Sequence, residues 1–297
     1  MELEVGRKIR DLRKYYGMTQ EELAEGICTQ ASISKIEKND ETYISAQILY
    51  LISQRLGVSI EYFFNDNEVL NISYVNEVCE QFSELIANKD YEEAYEMVKL
   101  EKNNPMFSTK RHLKKFLLWR EALCINYLYG KKSEAIEMIN EALLLSETTE
   151  KNYSLEDLNI MTSKAILLGE LENWEESLNL YINILEHIKK IPFQKDRLTL
   201  INIYYNASRS AIKVNDYDQA LLFCNKGILV CKQEKTFFLL GHLNYQKAEC
   251  LINLNKQDKK MPLQFYKKAL ALFEGAEQEK YIDIVKEKIN QLSPITK

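Results

Sequence analysis

Between residues 20 and 38 stand six side chains suited to reading a nucleic acid: Gln20, Gln30, Ala31, Ser34, Lys35 and Lys38. A glutamine carboxamide both donates and accepts, so Gln30 can pair with an adenine edge through two bonds, while Ala31 offers a methyl to thymine. Lys35 and Lys38 suit phosphate or guanine, and Gln20, at a helix start, suits a phosphate. A second set of amides, Asn126, Asn206 and Gln246, together with the Ser163 hydroxyl, suits the backbone donors and acceptors of an extended peptide. Catalysis finds no such support. The histidines, His112, His187 and His242, are 75 and 55 residues apart, and no phosphate-binding glycine loop, nucleophile elbow or metal-spaced Cys/His cluster is present. No enzymatic activity, cofactor or metal is expected.

The first set must be held by residues 19–38, TQEELAEGICTQASISKIEK. Thr19 and Glu22 form a capping box, so a helix should begin at Gln20 with Leu23, Ala24 and Ile27 inward. Thr29 caps the next helix and counts with the nucleic-acid-facing residues. Ile33 and Ile36 point to its core, leaving Gln30, Ala31, Ser34 and Lys35 outside. Ala24 is small enough for two short helices to cross closely, the geometry that presents a recognition helix to a major groove. Val5, Ile9 and Leu12 before it, and ISAQILYLISQRLGVSIEYFF at 44–64, supply the remaining core. Glu37 should pair with a cation such as Arg13.

The second set sits in a repeat. DYEEAYEMV, KSEAIEMI, NWEESLNLY, DYDQALLFC and KMPLQFY align on Ala94, Ala135, Ser177, Ala220 and Pro262, at intervals of 41, 42, 43 and 42 residues. Ala142, Ile184, Gly227 and Ala269 align seven residues later, and Ala122, Ala165, Ser208 and Cys250 about a dozen before. One helix pair cannot bury its apolar stripe alone, so neighbours should stack into a solenoid with an inner surface. The spacing predicts five helix pairs and a capping helix at about 277–292.

Composition agrees with an all-α fold: 9 glycines and 4 prolines in 297 residues leave few turns. The chain divides into a head at 1–66, a linker at 67–72 and a repeat domain at 73–297. Net charge is −5, and the head holds 8 Lys+Arg against 11 Asp+Glu, or −3. Counterion-driven affinity for nucleic acid is therefore modest, and Arg7, Lys8, Arg13, Lys14, Lys35 and Lys38 are the cations available. The six cysteines show no disulfide or C-x-x-C spacing and read as packing, with Cys224 and Cys231 seven apart on one face. The charged start and the lack of any apolar run near about 18 residues point to a cytoplasmic protein with no membrane partner.

Residues Arg10–Arg13, Gly17–Ala24, Ile33–Glu37 and Leu56–Ser59 resemble Cro/C1-type (Xre) helix-turn-helix domains, here of five helices. Gly26-Ile27-Cys28-Thr29-Gln30 resembles, more narrowly, the turn of PlcR-like members of the RRNPP group, quorum-sensing transcription regulators of Gram-positive bacteria. The repeats resemble tetratricopeptide repeats with lengthened helices. The resemblance implies a homodimer on a two-fold double-stranded DNA operator, controlled by a short signalling peptide in the repeat groove. It implies groove roles for Asn206, for Gln246 within Tyr245-Gln246-Lys247-Ala248-Glu249-Cys250-Leu251, for Tyr245 and for Lys89. Ser163 departs from the asparagine of the family. The alternative is a groove that binds a protein partner, an anti-repressor or response regulator.

Overall fold

The computed structural model describes residues 5–38, 44–64, 69–104, 107, 108, 110–146, 153–190, 197–255 and 257–292. Among them the regular elements are all helical, as the composition requires. Two compact units divide between Ala87 and Asn88.

The first unit begins with α1 (Val5–Tyr15), α2 (Gln20–Ala24), α3 (Gln30–Glu37) and α4 (Ala46–Arg55). The fifth helix of the expected head is a single 3₁₀ turn, Ile60–Phe63, because Gly57 takes a left-handed conformation and leaves only four residues to wind. Val5, Ile9, Leu23, Ala24, Ile33, Ile36, Leu49, Ile52, Leu56 and Phe63 form its core. Helix α5 (Val69–Asn88) follows, so residues 69–72 of the expected linker are helical; 67 and 68 lie outside the described residues.

Helix ends in the head are closed by side chains. The Thr19 hydroxyl accepts from the Glu22 amide at 3.2 Å and the Glu22 carboxylate accepts from the Thr19 amide at 2.6 Å, which completes the capping box. Thr29 caps α3 by accepting from the Ser32 amide at 3.2 Å. At the other end of α2, Arg55 of α4 donates to the carbonyls of Glu22 and Leu23 at 3.1 and 3.3 Å. Carbonyls that no helical partner reaches are thereby satisfied.

The second unit continues with α6 (Tyr91–Lys102), α7 (Arg111–Tyr129), α8 (Lys132–Leu144), α9 (Leu155–Glu170) and α10 (Trp174–Ile188). Then come α11 (Arg197–Lys213), α12 (Tyr217–Gln233), α13 (Leu240–Leu254), α14 (Lys260–Gly275) and the cap α15 (Glu279–Leu292). Each helix packs chiefly on its neighbours in sequence, as stacked hairpins do. The small residues found by alignment mark the crossings: Ala94, Ala135, Ala220, Ala122, Ala165, Ser208 and Cys250 are fully buried. Ser177 is tolerated at an alanine position because its hydroxyl donates to the Ala165 carbonyl at 2.8 Å. Pro262 falls in the first turn of α14, where its missing N–H costs nothing. At Gly227 an added Cβ would stand 2.9 Å from the Leu243 side chain, so a larger residue would displace Leu243 where α12 meets α13.

One turn conformation recurs at the repeat interval. Lys89, Gly130, Glu172 and Asn215 have φ of 66, 66, 63 and 63°. The residues that follow, Asp90, Lys131, Asn173 and Asp216, have φ between −79 and −85° and ψ between 62 and 75°, and a helix then begins. Only Gly130 adopts the left-handed region without steric cost. Stacking is reinforced by a buried ion pair. Lys115 of α7 lies 2.9 Å from Asp157 and 2.5 Å from Glu156 at the start of α9.

Cys224 and Cys231, which share a helix face in the sequence, have separate partners. The Cys224 thiol hydrogen-bonds with Cys250, and the Cys231 thiol donates to the Phe238 carbonyl at 3.4 Å. Both are buried, as are Cys124 and Cys250.

Candidate functional site

Helix α3 turns Ile33 and Ile36 inward and leaves Gln30, Ala31, Lys35 and Lys38 exposed, with Ser34 half-buried. A chain of hydrogen bonds fixes this surface. The Arg13 guanidinium donates to both Glu37 oxygens, at 2.6 and 2.8 Å, and to the Met18 carbonyl at 2.7 Å. Gln20 donates its amide to Glu37 at 2.8 Å, and the Gln20 oxygen accepts from the Gln30 amide at 2.7 Å. Burial alone would raise the Glu37 carboxyl, but the bonds from Arg13 and Gln20 outweigh it and hold the group below its ordinary range. The carboxylate, in turn, raises Arg13.

This arrangement sharpens two expectations. Arg13 is spent on Glu37 and buried, which removes it from the cations that face a nucleic acid. Arg7, Lys14, Lys35 and Lys38 stay exposed, and Lys8 reaches the Tyr62 carbonyl at 3.5 Å. Gln20 has one amide hydrogen committed inward, so a second amide hydrogen and the N-terminus of α2 remain for a phosphate. Gln30 is exposed, and the bond from its amide to the Gln20 oxygen fixes its carboxamide. A rigid, exposed carboxamide is what bidentate pairing to a base edge needs.

In the second unit, two of the residues singled out by sequence line one cleft and the others lie outside its lining. Tyr245 and Gln246 share a cleft of about 350 Å³. Gln246 is nearly buried and its oxygen accepts from the Ser208 hydroxyl. Burial, with the Glu249 carboxylate beside it, pushes the Tyr245 phenol up to about 12. Asn206 does not line the cleft; its amide donates to the Asn202 carbonyl at 3.1 Å and to the Asn202 side chain at 2.8 Å. The Ser163 hydroxyl accepts from the Trp119 indole at 2.9 Å. Asn126 is buried, 3.5 Å from Glu170, and its side-chain oxygen meets no partner among the described residues. Lys89 sits exposed in the first left-handed turn.

The cleft also holds residues that sequence reasoning passed over. From α11 come Tyr205, Arg209 and Lys213, and from α13 His242 and Glu249. Phe273 of α14 and Tyr281 of α15 close it. The His242 ring lies 5.6 Å from Tyr205, 4.9 Å from Phe273 and 4.6 Å from Tyr281, edge-on to each. Burial lowers the His242 imidazole, which is therefore neutral at neutral pH. The signal was present: Tyr205, Arg209 and Lys213 at i, i+4 and i+8, and His242, Tyr245 and Glu249 at i, i+3 and i+7, each form one helix face. A larger hollow of about 810 Å³ is lined by Trp174 and Val214 among polar residues, Glu172, Glu175, Glu176 and Lys213. Among the described residues no group of acidic, histidine and cysteine side chains could hold a metal, and no helix is long and apolar enough to cross a membrane.

Comparison with known proteins follows the same division. A model of the RNPP family C-terminal domain matches residues 79–292, and a helix-turn-helix model matches residues 9–63. The fold is similar to that of Bacillus thuringiensis PlcR, solved in complex with the peptide PapR7 and DNA. Identity is 24%, the TM-score is 0.67, and 95% of this chain and 99% of PlcR are covered. It is also similar to S. thermophilus ComR in complex with DNA and its signalling peptide ComS, at 16% identity and a TM-score of 0.53, covering 97% and 99%. The Streptococcus dysgalactiae SHP pheromone receptor Rgg2 aligns at 13% identity and a TM-score of 0.51, covering 98% and 100%. No curated protein sequence matches.

Proposed function

The chain belongs to the RNPP family of transcription regulators, and from that premise we propose that it reads a two-fold DNA operator as a homodimer under the control of a short peptide. The observation that carries the DNA half is the bond from Gln30 to Gln20, itself anchored on Glu37 and Arg13. It supports Gln30 and Ala31 as base contacts, Ser34, Lys35 and Lys38 around them, and Gln20 with Thr29 at the helix starts facing phosphates. One recognition helix covers too few base pairs for a unique site, so two heads are required.

The repeat domain, 73–297, dimerises and takes the peptide, with 1–66 as head and 67–72 between them. Tyr245 and Gln246 anchor the peptide in the cleft, with Asn206, Ser163, Asn126 and Lys89 along its course. A cleft of about 350 Å³ suits a few side chains, which favours a short peptide over a folded anti-repressor or response regulator. A peptide that prefers one arrangement of the two heads changes operator affinity by its differential affinity for the two states. The protein acts in the cytoplasm, where the DNA is.

Selection of duplex fragments by the full-length protein, with and without the short-peptide fraction of culture supernatant, tests this. The expected result is enrichment of a two-fold symmetric site and a change in affinity with peptide. No enriched sequence, or a strictly monomeric protein in sedimentation, would overturn it.

A further inference from the structure

A cluster of like charges lies on another face of the repeats, away from the cleft. Helices α12 and α14 each pack on α13, and one lysine from each of the three gathers there: Lys232, Lys247 and Lys268. The Lys247 and Lys268 ammoniums lie 4.2 and 4.9 Å from the centre of the same ring, Phe265. Lys247 also donates to the Asn225 side-chain oxygen at 2.6 Å, which holds it toward α12. Neither Asn225 nor Phe265 lines the cleft, so Lys247 turns away from the cavity that its chain neighbour Gln246 walls. No carboxylate answers these charges: none of the three lysines forms an ion pair among the described residues. Elsewhere in the same unit Lys99 and Lys131 lie 2.6 and 2.9 Å from glutamates, which raise them above the ordinary lysine range. Lys247 moves the other way. Burial lowers it, and repulsion from Lys268 and Lys232 adds to that, against the opposing pull of the Cys224 thiol. Like charges held together without an anion repel, and a bound anion reverses the sign of that interaction.

We propose that this face binds a small polyphosphate anion, whose oxygens are shared among the ammoniums of Lys232, Lys247 and Lys268. The choice of phosphate over carboxylate follows from the side chains present. A guanidinium fork matches a planar carboxylate, whereas an ammonium is a compact point charge that a tetrahedral phosphate can approach from any side. The cluster is built of lysines alone. Linked phosphates also concentrate several negative charges in the small space that three side chains from adjacent helices can surround. Asn225 gives its oxygen to Lys247 and keeps its amide hydrogens as further donors to a phosphate oxygen. Lys232 and Lys268 are exposed and Lys247 is half-buried, so the anion is reached from solvent and held at its inner end. Bound there, it acts on α13, whose Tyr245 and Gln246 line the cleft, from a different face. The site stands whether or not a peptide enters that cleft.

The test is calorimetric titration of the full-length protein with inorganic triphosphate at fixed ionic strength, so that general screening stays constant. One site per chain is expected. Lys232→Gln with Lys268→Gln, both at exposed positions, should weaken binding at least about tenfold, the scale of one lost charge-assisted bond. Lys99→Gln with Lys131→Gln removes the same charge from lysines that already have glutamate partners and should leave binding unchanged. Two competitors fix the class of ligand. An oligoglutamate of equal charge should bind more weakly than triphosphate, and saturating duplex of random sequence should not displace triphosphate. The absence of triphosphate binding, or equal loss in both double variants, would overturn the site. Tighter binding of oligoglutamate would reassign the face to an acidic protein, and displacement by duplex would reassign it to a nucleic-acid backbone; either result overturns the proposal.

Discussion

In the head, Arg13, Glu37, Gln20 and Gln30 form an unbroken series of hydrogen bonds, whereas in the second unit the cleft around His242 is lined by aromatic side chains, with Arg209, Lys213 and Glu249 at its edge. The first surface is finished before any partner arrives. The second keeps an open volume of about 350 Å³ with apolar area that a ligand can cover. A rigid reader suits a rigid duplex, whose donor and acceptor pattern is fixed, so little ordering remains to be done on binding. An incomplete cleft suits a control input, because the free energy released on filling it is available to shift the protein between states.

Breaking the head's series at its centre should give the largest effect. Glu37→Ala leaves the Arg13 guanidinium buried without its anion and should destabilise the head by about 3 kcal/mol. Hydrogen exchange of head amides in the full chain reads this, and unchanged protection would mean the pair is not a strut. Gln30→Ala, at the outer end, should leave the fold alone and weaken operator binding by about 1–3 kcal/mol, relaxing preference at one base pair per half-site. An equal loss on scrambled DNA would show that Gln30 reads no base.

Acid offers a milder version of the same break. Glu37 is held below the ordinary glutamate range in the folded head, so its contribution is complete above that range and drains away as the pH falls through the depressed folded value. Head stability in the full chain should therefore fall on acidification below about 4.5, and Glu37→Gln should flatten that slope. Retention of the full slope in the variant would move the origin elsewhere.

The smallest expected effect comes from the repeats. Glu172 holds φ of 63° with a Cβ, at a cost of roughly 1–2 kcal/mol in the left-handed region. Glu172→Gly should recover about 0.5–1 kcal/mol in urea unfolding, less than the full strain because glycine also loosens the unfolded chain. A loss of stability would show that the glutamate makes a contact worth more than the turn.

Local rules made the head legible. The Thr19–Glu22 box, the Thr29 cap and the period of Leu23, Ile33 and Ile36 act over three or four residues, and the structure has each of them. Even the Arg13–Glu37 pair could be anticipated, since opposite charges on α1 and α3 had one short core between them. The repeat frame was legible for a similar reason: small residues recur where helices cross. The cleft was not. Its floor takes one aromatic from each of α11, α14 and α15 and a histidine from α13, positions that meet only after two hairpins and the cap have stacked. Equivalent places in the repeats drew Asn206, Ser163 and Asn126 into one set, and packing gives each a neighbour that the repeat does not specify: Asn202, Trp119 and Glu170.

The left-handed bend shared by Lys89, Gly130, Glu172 and Asn215 has one more outcome. Because four hairpins are closed by the same backbone path, a unit of about 42 residues can be removed or duplicated among them in register without redesigning that corner. The length of the array is then an adjustable dimension, set by counting modules and not by re-solving a fold.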